Sequence, residues 1–234
     1  IVLDADFGLA NVDILFGLTP KFTLLDVINN KKTIREILTD GPHNIKFISG
    51  GSGVEELANM DDRHLSGFIE NIAMLDELAD VIIIDTGAGL SKNVINPVMA
   101  ADEVLLVTTP EPTSLTDAYA LIKIVSLKDK EKKIKIILNK AENAREAEYV
   151  TRNFVTVTEK FLKHKIETLG FVLKDETVNK SVKLQSPFII SYPKCPAARN
   201  IQEIAGKLLS VNNITYKNSG IRGFIKKLAC YMRN

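Results

Sequence analysis

The sequence predicts a mostly parallel, doubly wound α/β sheet flanked by helices, with an amphipathic helix at the C-terminus. Three observations carry this reading. Short apolar runs alternate with helix-length amphipathic segments along most of the chain. The run 81–85, VIIID, delivers an acid straight into a glycine-containing loop, as a buried strand does at its carboxyl end. Residues 221–234 combine a basic face with an apolar one.

Taken in order, residues 1–3 read as the end of a buried strand, and GLANVDILFGL places Leu9, Val12, Leu15 and Phe16 at helical spacing. A helix over Thr23–Leu38 is interrupted near Asn29 and Asn30, and IKFIS (45–49) is the next strand. From Asp61 to Ala79, Leu65, Phe68, Ile69, Ile72, Leu75 and Leu78 follow the helical period. After the strand 81–85 come a helix near 92–100 and the strand 103–109. Ser114 with Asp117 reads as an N-cap pair opening a helix through Val125. The strand 134–138, a helix over about 144–163, the strand ETLGFVL, a helix over 177–184 and a helix starting near Ala197 complete the pattern. Residues 1–209 form one large domain on this reading, the polar stretch 210–219 is a linker, and 220–234 is a separate helix.

With 234 residues, 45% of them hydrophobic, the chain is long enough to bury the core of such a domain. Its 30 basic and 29 acidic residues balance, so no global charge points to a nucleic-acid partner. Locally the balance fails: no acid follows Glu203, whereas Lys207, Lys217, Arg222, Lys226, Lys227 and Arg233 do. Cys195 and Cys230 stand far apart without metal-ligand company, which argues against a disulfide scaffold or zinc site and favours a cytoplasmic setting. No run approaches the roughly 18 apolar residues of a membrane span. The chain opens IVLDADFG without an initiator Met and already inside a strand, so a preceding segment is expected to be missing.

In doubly wound sheets ligands sit beyond the carboxyl ends of the strands. Asp4, Asp6, Asp85, Asn139 and the loop after Ile190 all follow predicted strands. The three carboxylates suggest a magnesium-assisted site, since magnesium takes one or two carboxylates, often through water, together with substrate phosphate oxygens. A further carboxylate is then free to orient an attacking water. Asn139-Lys140 offers an amide with donor and acceptor suited to a purine edge. Asp4 and Asp6 could instead cap the next helix, and Asn139 could be an ordinary loop residue. Asp85 is harder to dismiss, because an acid after four apolar residues costs several kcal/mol unless it is paired or exposed at a site. Gly50-Gly51-Ser52-Gly53 reads as a tight turn rather than an anion cradle, His43, His64 and His164 as surface or turn residues, and Cys195 as a small loop residue.

On a helical wheel Ile221, Phe224, Ile225, Leu228, Tyr231 and Met232 share one arc, while Arg222, Lys226, Lys227, Cys230 and Arg233 take the other. Such a helix lies in a lipid interface. Each cation near an anionic leaflet contributes about 1 kcal/mol, so four give about 4 kcal/mol before apolar insertion. The alternative is a terminal helix that packs its apolar arc on the domain.

The segments VLDADFGLANVDILFGL, VIIIDTGAGL and TTPEPTSLTDAYALIK resemble the MinD/ParA-type deviant Walker A P-loop ATPases of the SIMIBI class. VIIIDTGAGL is similar to their Walker B strand. The wording is closest to the MinD-like branch that regulates flagellar number, the FlhG (YlxH) group, over essentially the whole chain. The resemblance implies ATP/ADP and Mg2+ as ligands, with Asp6 positioning the hydrolytic water and Asp4 and Asp85 holding magnesium through its waters. It implies that Asn139 and Lys140 meet adenine and that the backbone around Pro193 to Pro196 closes on the ring. It also implies an ATP-bound homodimer, held at the inner face of the cell membrane on anionic lipid by Ile221, Phe224, Ile225, Leu228, Met232, Arg222, Lys226 and Lys227. An FlhF-type GTPase and components of the flagellar switch or C-ring are the implied partners, with no specific nucleic acid.

The chain departs from the pattern in one respect, for nothing in it matches GxxxxGK[ST]. The loop-bearing strand of the family is expected to lie between the strands carrying Asp4 and Asp85, leaving a gap there. The intact parent is expected to hydrolyse ATP and these residues alone little or none. Two other readings are a ParA-type DNA or cargo partition ATPase and a non-hydrolysing interaction module.

Overall fold

The structure, a computed structural model, describes residues 1–6, 12–51, 53–211 and 220–233. These form two compact units, one of residues 1–101 with the C-terminal helix and one of residues 102–217.

The first unit contains β1 (Val2–Asp4), α1 (Val12–Leu15), α2 (Leu24–Ile28), α3 (Ile34–Ile37), β2 (Thr39–Asp40), β3 (Lys46–Ser49), α4 (Gly53–Asn59), α5 (Asp62–Ile72), α6 (Leu75–Leu78), β4 (Ile83–Asp85) and α7 (Lys92–Ala100). Helix α13 (Gly220–Arg233) completes it. Its sheet has the order β2-β3-β1-β4, with β1 parallel to both neighbours and only the short β2 antiparallel. Thr23 and Thr33 open α2 and α3 with reciprocal capping boxes to Asp26 and Glu36. Asn30, in a left-handed conformation, separates the two helices as the sequence anticipates. The helix expected over 61–79 is broken after Ile72 into α5 and α6.

The second unit contains β5 (Glu103–Thr108), α8 (Pro112–Lys128), β6 (Lys133–Ala141), α9 (Ala144–Leu162), β7 (Ile166–Leu173), α10 (Glu176–Lys183), α11 (Phe188–Ser191) and α12 (Pro196–Val211). Its three strands are all parallel in the order β5-β6-β7. Alternate residues of β6 serve opposite faces. Ile137 joins Leu169, Val172, Ala197 and Ile204 beneath α12, while Leu138 and Ala141 pack with Ala147, Leu115 and Val150 of α9 and α8. Helices on both faces of a parallel sheet are the predicted doubly wound arrangement.

Several expectations are corrected. Helix α8 starts at Pro112, because Pro is preorganised for the first turn. The Ser114 Oγ turns back to Thr108 Oγ1 (2.8 Å) and accepts the Thr109 N–H instead of capping. His164 is buried, 2% exposed, with Nε2 2.8 Å from the Lys132 carbonyl oxygen, so it is no surface residue. The strand expected over 81–85 is short and half open: Ile83 is 49% exposed, since among the described residues β4 pairs only with β1. No strand lies between those carrying Asp4 and Asp85, for they are hydrogen-bonded neighbours in parallel register, Val2 opposite Ile83 and Asp4 opposite Asp85.

The apolar arc of α13 is core in this structure. Ile221, Phe224, Ile225, Leu228 and Ala229 are buried in the cluster formed by Leu57, Leu65, Phe68, Ile69, Ile72 and Ala100, with Met232 and Tyr231 partly buried beside them. The helix is pinned at both ends. Asp76 Oδ1 accepts the Ile221 N–H at 2.8 Å, satisfying a first-turn donor, and Arg233 Nη1 donates to Asp62 Oδ1 at 2.7 Å. Residues 212–219, most of the expected linker, lie outside the described residues, and α12 extends to Val211. No described helix is long and apolar enough to cross a membrane.

Gly170 lets α12 lie close on β7, because a Cβ there would stand 2.7 Å from Ile204 Cγ1. Gly170→Ala is expected to cost about 1–3 kcal/mol through overpacking, read from the midpoint of chemical denaturation. A variant as stable as the wild type would show that α12 does not rely on this approach.

Candidate functional site

In the first unit the site grows out of the β1–β4 register. Two parallel strands with Asp4 opposite Asp85 bring two carboxylates to the same mouth of the sheet, and Asp6 follows two residues on. Asp4 is 5% exposed and its oxygens hold the local loop: Oδ1 accepts the Asp6 N–H at 3.1 Å and Oδ2 the Val12 N–H at 3.2 Å. The Ala5 N–H donates to the Asp85 carbonyl oxygen at 2.8 Å, which locks the strand ends together. Gly87 keeps the facing loop open to Asp6, since a Cβ on it would come within 3.1 Å of Asp6 Oδ1.

Burial raises the pKa of Asp85 above its ordinary value, and the charges of Asp4 and Asp6 add to the rise. A cation at this mouth would relieve all three contributions. Among the described residues no group of three or more His, Cys, Asp or Glu side chains forms a metal cage. The donor set fits a hydrated magnesium ion that takes few protein ligands and keeps its waters. Asp4, with both oxygens engaged by backbone, is placed to act through water rather than directly.

In the second unit β6 runs past the expected end at residue 138 to Ala141, so Asn139 lies within its last three residues, towards the carboxyl side of the sheet, and is half-buried. Its Oδ1 accepts the Lys140 N–H at 2.9 Å, and Lys140 is turned into the left-handed region at φ 58°. Pro193 is exposed in the loop before α12, where the Cys195 N–H closes a turn on the Tyr192 carbonyl oxygen, and Pro196 is exposed as the first residue of α12. Cys195 Sγ accepts the Ala198 N–H at 3.3 Å, so the thiol caps the helix as well as filling the loop. The turn at Gly50 to Gly53 is closed by a Gly53 N–H donation to the Gly50 carbonyl oxygen, in keeping with a tight turn. A cavity of about 360 Å3 between α9 and β7, lined by Ala147, Val155, Gly170 and Phe171, involves none of the predicted site residues.

Sequence reasoning passed over Asp175, Asp76 and Asp62. Asp175 follows β7 with only Lys174 between, a strand-end signal like the one that singled out Asp85. The roles of Asp76 and Asp62 depend on contacts with residues far along the chain and leave no local trace.

The acid cluster of the first unit, and separately the amide and proline loop of the second, lie towards the carboxyl side of parallel strands, where doubly wound folds place their ligands. The comparisons agree. No family model matches the chain. The antiactivator FleN of Pseudomonas aeruginosa is 36% identical over 208 residues, covering 89% of this chain and 74% of FleN. The flagellum site-determining protein YlxH of Helicobacter pylori is 30% identical over 236 residues, covering 99% and 79%. Among solved structures, the septum site-determining protein MinD of Pyrococcus horikoshii, complexed with Mg-ADP, superposes with a TM-score of 0.67 at 21% identity over 94% of this chain and 84% of that one. The chain belongs to the MinD/ParA-type ATPases, close to FleN and YlxH.

Asp85 gives a pH test. Its folded pKa lies above the unfolded value, so the stability tied to it is fully present below the unfolded pKa and is lost as pH rises through the folded one. Asp85→Asn is therefore expected to raise the melting temperature at pH 7, with the gap to wild type closing as pH falls toward 4 (about the ordinary carboxylate pKa). A lower melting temperature for the variant at pH 7 would contradict a carboxylate held at a net cost, with the Thr86 N–H offsetting only part of the rise.

Proposed function

We propose that the intact protein is an ATP-dependent spatial regulator of flagellar number and placement. It cycles between a cytosolic monomer and an ATP-bound dimer at the inner face of the cell membrane. The observation that carries this reading is the likeness to FleN and YlxH over nearly the whole chain. In this reading Asp6 orients the attacking water, Asp4 and Asp85 hold magnesium through its waters, and Asn139, Lys140, Pro193 and Pro196 surround the adenine. Bound magnesium would supply charge neutralisation between phosphate oxygens. These 234 residues contain no GxxxxGK[ST] and by themselves turn over little or no ATP. An FlhF-type GTPase and switch or C-ring components are the proposed partners, and residues 1–209, 210–219 and 220–234 act as ATPase domain, linker and targeting helix.

The docked state of α13 supports a switch rather than a permanently free anchor. Its apolar side chains are each stabilised by roughly 1.5–3 kcal/mol when removed from water, whether by the core of the first unit or by lipid. For these side chains the two burials are close to balanced, and undocking must in addition offset the exposure of Leu65, Phe68 and Ile72, which α13 covers. Arg222, Lys226 and Lys227 remain on the exposed face while the helix is docked, so the membrane can attract the helix before it leaves the core. Asp76 and Asp62 favour the docked form.

Two substitutions separate the steps. Asp62→Ala with Asp76→Ala is expected to raise the fraction floating with anionic liposomes several-fold. Arg222→Glu with Lys226→Glu, which leaves the buried face intact, is expected to abolish flotation at unchanged melting temperature. Flotation unaffected by the charge reversal would sink the membrane role.

A further inference from the structure

We propose that Asp175 is a positioning residue that fixes the separation between the two walls of the adenine cleft, and so sets the preference for adenine over guanine. The inference rests on the reading of Asn139 and the Pro193–Pro196 loop as those walls. The end of β7 is a three-residue hub joined to both. On the Asn139 side, the Lys174 N–H donates to the Ala141 carbonyl oxygen at 2.8 Å and Lys174 Nζ reaches Glu142 Oε1 at 2.7 Å. On the proline-loop side, the Leu173 N–H donates to Asn200 Oδ1 at 3.1 Å in the first turns of α12.

Asp175 makes the decisive bridge. One carboxylate oxygen accepts the Thr177 N–H at 2.9 Å and the Thr177 hydroxyl at 2.6 Å, capping α10. The other accepts the Ala197 N–H at 3.3 Å, at the start of α12 and one residue beyond Pro196. The Cys195 thiol also bonds to this carboxylate, which is held below the ordinary carboxylate pKa chiefly by Thr177. A single anion thus ties the N-termini of two helices whose leading loop carries the prolines, and both termini favour negative charge. Its two oxygens divide the work. Oδ1 serves α10 and Oδ2 serves the proline loop.

That division makes the role separable from ordinary capping. Asn is as good an N-cap as Asp, so Asp175→Asn keeps the α10 cap. Its amide, with the oxygen on α10, turns a donor toward the Ala197 N–H and the Cys195 thiol and releases the loop. If Asp175 were only a cap, Asn would behave as wild type and Ala would be merely less stable.

The test uses the full-length protein with fluorescent ATP and GTP analogues, together with melting temperatures. Wild type is expected to prefer ATP. Asp175→Asn is expected to lose about tenfold in ATP affinity, the order of one hydrogen bond to a charged group, with little change for GTP. Its melting temperature falls less than that of Asp175→Ala, since the α10 cap is kept. Wild-type affinity and selectivity in Asp175→Asn would overturn the proposal while leaving the adenine cleft standing. A wild type that does not prefer ATP would overturn the cleft reading and the proposal together. If Asp175→Ala fails to fold, the Asn variant still decides.

Discussion

The parallel pairing of β1 with β4 is the constraint on which the first unit depends. Once Val2 lies opposite Ile83, Asp4 must lie opposite Asp85. Strand pairing alone then places two like charges at the sheet mouth and delivers Asp6 beside them. Backbone donors to Asp4 compensate one carboxylate. Asp85 is left with raised pKa, and this residual cost is what a hydrated cation would offset.

Much of this was legible in the sequence because it is local. Strand ends followed by acids, the break at Asn29 and Asn30, and the helical period of α5 and α9 need only neighbouring residues to express themselves. Strand order does not. The register that seats Asp4 against Asp85 is a long-range choice, and the expectation of a gap between their strands failed for that reason. Ile83 shows the same limit: an apolar run predicts burial, yet how buried a strand becomes depends on which partners reach it. His164 is hidden by a bond to Lys132, 32 residues earlier, which no local pattern records.

The C-terminal helix shows a different kind of ambiguity. An apolar arc opposite a basic one describes a helix on a core and a helix on a membrane equally well, because both environments reward removal of the same side chains from water. The structure shows the core solution, clasped by Asp76 and Asp62, while the basic residues stay outside. In the proposed function the two solutions would be two states of one device, with the balance available to nucleotide and partner.

The measurement that tests the account most directly is the oligomeric state and liposome association of the full-length protein carrying Asp6→Ala, with ATP and magnesium. If Asp6 orients the hydrolytic water at a magnesium-bound phosphate, the variant binds ATP, does not turn it over, and accumulates as a liposome-bound dimer. An Asp6→Ala protein that hydrolyses ATP at the wild-type rate, or binds ATP without magnesium dependence, would contradict the assignment of the strand-end carboxylates.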